Sequence, residues 1–129
     1  DPAGEDAVYT GTDYFASARL TRQQARDSAI ELLQKAADEE GAAEEAATEA
    51  SEGIQALAAY TLAEAQIENL VTAKGFADCV AFMGAESSSV VVSTRDGAAL
   101  TSADVAKITD ITMTETGYPA SAIKIMAAN

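Results

Sequence analysis

Ala18, Arg22, Ala25, Ala29, Leu32 or Leu33 and Ala36 recur at alternating spacings of four and three, which predicts a helix with a single packing seam. This first helix is assigned to residues 13–40, with Thr12 or Asp13 as its cap. Most of the seam is Ala, so each position buries little more than a methyl and the helix needs a partner surface. Asp38-Glu39-Glu40-Gly41 interrupts the pattern with like charges and a helix-weakening Gly. A second helix then runs to Lys74, and its stripe of Ile54, Leu57, Ala58, Leu62, Ala65, Ile67, Leu70 and Val71 widens toward the C-terminal end. Gly53 inside it costs about 1 kcal/mol relative to Ala; it either lets the first helix approach closely or is merely tolerated.

The pattern changes period after Gly75, which sits where a left-handed residue ends a helix. A strand over about Ala77 to Met83 alternates so that Val80 and Phe82 share one face and Cys79, Ala81 and Met83 the other, with Phe82 expected to point at the helices. A second strand over about Ser89 to Arg95 returns antiparallel across a turn containing Gly84. Its Val90-Val91-Val92 run is apolar on both faces. Thr101-Ser102-Ala103-Asp104 reads as a capping box, with Asp in place of the usual Glu, opening a third helix that Gly117 and Pro119 stop. A last strand covers Ala122 to Ala127, with Ile123 and Ile125 toward the core and Lys124 toward solvent.

The fold class is therefore α+β: an N-terminal helix, then an αββαβ unit over residues 42–129 with a three-stranded sheet and two helices on one face. A right-handed crossover is expected to set strands 2 and 3 parallel with strand 1 between them. That leaves the second face bare, with Cys79, Ala81, Met83, Val91, Ser93 and Met126 on it, and makes strand 2 an edge. The candidate interface residues are accordingly Ala81, Met83, Val90, Val91, Val92, Ser93 and Met126. Residues 1–12 carry Pro2, Gly4 and Gly11 with no period and read as a linker remnant.

Composition narrows the function. With 48% hydrophobic but 5% aromatic residues and no Trp, the core is built largely of Ala, Val, Ile and Leu. The net charge of −13 disfavours nucleic acid and anionic lipid surfaces, which leaves protein partners. A single cysteine, Cys79, excludes an internal disulfide, and the absence of His removes the usual zinc sites and Ser-His-Asp arrangements. Phosphate-loop, dinucleotide, metalloprotease and nucleophile-elbow motifs are all missing. Glu44, Glu45, Glu49 and Glu52 read as a solvated helical face rather than a cation site, which normally needs carbonyl ligands from a turn. No residue is assigned to catalysis, to a cofactor or to a metal.

Three segments carry a resemblance: YFASARLTRQQARDSAIELLQ (Tyr14 to Gln34), IENLVTAKGFADCVAFM (Ile67 to Met83) and VVVSTRDGAALTSADVAKITDITMTETGYPASAIKIMA (Val90 to Ala127). Together they resemble the extracytoplasmic domain of the stage III sporulation protein AH family, whose fold is similar to the ring-building motif of secretion-system and flagellar rings. The resemblance implies a non-enzymatic channel component, anchored in the mother-cell membrane by a transmembrane helix upstream of Asp1. It also implies a domain lying in the space before the forespore, binding stage II sporulation protein Q and multimerising into a ring. Without the resemblance, the residues alone also allow a small intracellular adaptor or ligand-binding module, and the sequence upstream of Asp1 would separate the two.

Overall fold

The computed structural model describes residues 11–39, 41 and 43–128. All but the last two positions of the expected linker, residues 1–12, lie outside these. Helix α1 (Gly11–Asp38) and helix α2 (Glu44–Ala73) form an antiparallel hairpin, broken at Gly41, whose φ of 83° suits the left-handed region. Thr12 and Asp13, the expected caps, already lie within α1. Where α1 passes α2, a methyl on Gly53 would come within 3.1 Å of Leu33 Cδ1, so this glycine does allow a close approach. Leu33 is therefore the seam residue, while Leu32 stands 66% exposed.

Strands β1 (Asp78–Met83) and β2 (Ser88–Ser93) pair antiparallel, helix α3 (Ser102–Thr116) crosses over, and β3 (Ile123–Ala127) pairs parallel with β2. Both halves of the capping box form: the Thr101 side chain accepts from the Asp104 amide, and the Asp104 carboxylate accepts from the Thr101 amide. Gly117 closes α3 at φ 78°.

The sheet order is β1-β2-β3, so the central strand is β2 and not strand 1 as the crossover argument expected. A right-handed crossover fixes the hand of a parallel pair but not how many strands lie between its members. Burial decides it, because a Val run apolar on both faces is most stable in the middle position. Strand 2 thus offers no edge.

The face assignment is corrected as well. The register sets Ala81 opposite Val90 and Val80 opposite Val91, so Val91 cannot share a face with Cys79 and Ala81. Cys79, Ala81, Val90 and Val92 are buried against Ile67 and Val71 of α2 and Ile108 of α3, with Met83, Leu100 and Ile125 packed alongside. On the other face Val80 and Val91 lie under Phe15 of α1, joined by Tyr14, Ala18 and Phe82. Phe82 thus points at α1, away from α2 and α3. The second face is covered over β1 and β2 and is bare along β3, where Lys124 and Met126 are exposed.

Candidate interaction surface

The two edges of the sheet are treated in opposite ways. In an antiparallel pair every second residue turns its amide and carbonyl away from the partner strand, and on β1 these residues are Cys79, Ala81 and Met83. All three outward amides and two of the three outward carbonyls have a side-chain partner. Asp78 Oδ1 accepts the Cys79 amide at 2.8 Å, Glu68 Oε2 the Ala81 amide at 2.9 Å and Glu64 Oε2 the Met83 amide at 2.9 Å. Arg19 Nη2 donates to the Cys79 carbonyl and Arg22 Nη1 to the Ala81 carbonyl, both at 2.5 Å.

The same side chains then pair with one another. Arg19 Nη2 lies 2.5 Å from Asp78 Oδ1, Arg22 Nη1 2.6 Å from Glu68 Oε2, and Arg26 holds both oxygens of Glu64 at 2.7 and 3.0 Å. Helix α1 supplies the cations, α2 the anions Glu64 and Glu68, and β1 itself the third anion, Asp78. A strand edge whose amides are all held in this way is a poor template for another strand.

The arginines fall at 19, 22 and 26, one face of α1, and the glutamates at 64 and 68, one helical turn apart on α2. Sequence reading placed Arg22 in the seam but did not identify Arg19, Arg26, Glu64 or Glu68. The available signal was an i, i+4 acidic pair flanking Ile67 and Val71 inside a widening apolar stripe, matched by basic residues at i, i+3, i+7 on the preceding helix.

At the other edge, the Ala128 amide donates to the Val92 carbonyl at 2.9 Å. Parity then turns the amides and carbonyls of Ile123, Ile125 and Ala127 away from β2, and of these the Ile123 amide donates to the Ala120 carbonyl. No described strand pairs with β3 on that side. The open edge is five residues long, with Lys124 and Met126 standing on its bare face; Met126 is 40% exposed.

Of the interface residues expected from sequence, Ala81, Val90 and Val92 are fully buried in the core beneath α2 and α3, and Val91 and Ser93 are buried on the α1 face. Their own chain covers them, so they present no docking surface. Met83 is half-buried, and Met126 remains an exposed neighbour of the open edge. Among the described residues no helix is long and apolar enough to cross a membrane.

Comparison with known proteins adds two findings. The family model described as "SpoIIIAH-like protein" matches residues 2–125. A solved chain from the "Structure of the SpoIIQ-SpoIIIAH pore forming complex" superposes with a TM-score of 0.76 at 20% sequence identity, covering 90% of this chain and 96% of that one. No curated protein matches.

Proposed function

Because the chain belongs to the SpoIIIAH-like family, we propose that it is a non-enzymatic structural component of a sporulation channel, which takes a partner domain of the SpoIIQ type along the open edge of β3 and multimerises into a ring. The observation that carries the partner-binding part is the asymmetry of the sheet. On one edge every outward amide is held by the chain's own side chains, and the other presents the amides of Ile125 and Ala127 and the carbonyls of Ile123, Ile125 and Ala127 beside an exposed Met and a Lys. A row of alternating amides and carbonyls is complemented best by another extended strand, and Met126 and Lys124 give that strand a contact for its side chains. The similar fold in a complex titled as pore-forming supports the same reading. The family resemblance adds the place, the space between mother-cell and forespore membranes.

The test is titration calorimetry with a purified SpoIIQ-type domain against this chain and its Ala127→Pro variant. Ala127 is exposed and its amide points away from β2, so Pro there keeps the pairing within the chain while removing one docking donor. Binding by the parent chain and at least tenfold weaker binding by the variant are expected. Equal affinities would show that the partner docks elsewhere.

A further inference from the structure

The chain has eight basic residues, and three of them, Arg19, Arg22 and Arg26, are committed to the β1 edge. Three of the other five converge on a single groove of about 370 Å³ at the C-terminal end of α2: Lys74, Arg95 and Lys107. Arg95 Nε donates to the Gly75 carbonyl at 2.9 Å, which leaves its terminal nitrogens to the groove. Lys74 and Lys107 have no ion-pair partner among the described residues. Asp96 and Asp104 also line the groove, each accepting a backbone amide, Ala98's at 3.0 Å and Thr101's at 3.0 Å, so three cations stand there with two carboxylates and the groove keeps a positive excess.

The opposite end of α2 has the opposite sign. Asp38, Glu39, Glu44, Glu45, Glu49 and Glu52 are all exposed around the α1–α2 turn, with Lys35 as the one base between Asp27 and Glu68. The helix dipole accounts for Glu44 and Glu45 in the first turn and for Lys74 at the far end. It does not account for Glu49 and Glu52, which lie beyond the first turn, or for Arg95 and Lys107, which belong to other elements. Since α2 is 30 residues long, its ends are held about 45 Å apart. The two patches therefore cannot meet within one chain.

We propose that they meet between chains: the acidic α1–α2 turn of one copy docks on the Lys74–Arg95–Lys107 groove of the next. This deepens the ring reading above, on which it rests, by naming the two surfaces. The contact is heterologous, so it leaves one free patch at each end and propagates until it closes. Salt screens both the attraction between the patches and the repulsion between subunits of net charge −13, so charge reversal of the patches, and not salt, isolates the contact.

Sedimentation velocity of the chain over rising concentration, in low and in high salt, tests this. Concentration-dependent association of the parent chain is expected. A groove variant carrying Lys74→Glu, Arg95→Glu and Lys107→Glu and a turn variant carrying Glu44→Lys, Glu45→Lys and Glu49→Lys should each remain monomeric alone. Their equimolar mixture should associate again, since each then offers what the other lacks. All six positions are exposed, and circular dichroism verifies that both variants fold. Association that survives in both variants would overturn the head-to-tail contact and leave the ring reading to another surface. A parent chain that stays monomeric at every salt and concentration would overturn both for the isolated chain.

Discussion

Cys79 shows how completely a strand position can be assigned by its surroundings. It is fully buried on the α2 side of β1, and burial away from water, with the Glu68 carboxylate adding to it and Arg19 opposing, pushes its thiol from 9.0 up to about 12. Two consequences follow from that direction. The thiol stays protonated and enclosed, so iodoacetamide should label it in denaturant and fail to label it in the folded chain near neutral pH. The folded state also holds this proton more tightly than the unfolded state does. The corresponding stability is whole below about pH 9 and is lost as pH rises toward about 12. Chemical denaturation of the parent chain and Cys79→Ala across alkaline pH checks this: the parent should lose stability faster than the variant above about pH 9, and parallel curves would contradict it.

At the scale of elements, the closing devices were legible in the sequence and the relations between elements were not. Thr101 with Asp104, Gly75 and Gly117 are local chemistry: a hydroxyl three residues from a carboxylate, or a residue without Cβ at positive φ, announces a helix end without reference to the rest of the chain. Strand order and the faces of β1 depend on register, which a period-two pattern apolar on both sides does not fix. The sealed edge was missed for a related reason, since Arg19, Arg22 and Arg26 look like solvated surface until α2 is set against them. Because Glu64 joins α1, α2 and β1 with a side chain only 1% exposed, its removal should be felt in all three elements. Glu64→Ala leaves Arg26 and the Met83 amide without their acceptor and is expected to cost about 3–5 kcal/mol in urea denaturation. A loss below about 1 kcal/mol would mean that α1 is held by its Ala seam instead of by charge.

Over the whole molecule, sequence pattern and family resemblance together supplied the α+β class, the αββαβ order and the helix boundaries to within a few residues. The candidate surface was wrong for most of its residues, because strand 2 was set at an edge where burial puts it at the centre. Once β2 is central, the architecture has a direction. The amides of the β1 edge are held by Asp78, Glu64 and Glu68, and the β3 edge is the more open of the two for strand addition. The two proposals then use separate surfaces, the β3 edge for partner docking and the ends of α2 for assembly of copies.

Amide hydrogen exchange on the chain, alone and with a SpoIIQ-type domain in excess, tests the central claim most directly. The account predicts new protection at Ile125 and Ala127 when the partner binds, and none at Ala81 or Met83, whose amides are already held by Glu68 and Glu64. Protection gained along β1, with Ile125 and Ala127 still exchanging as in the free chain, would contradict it.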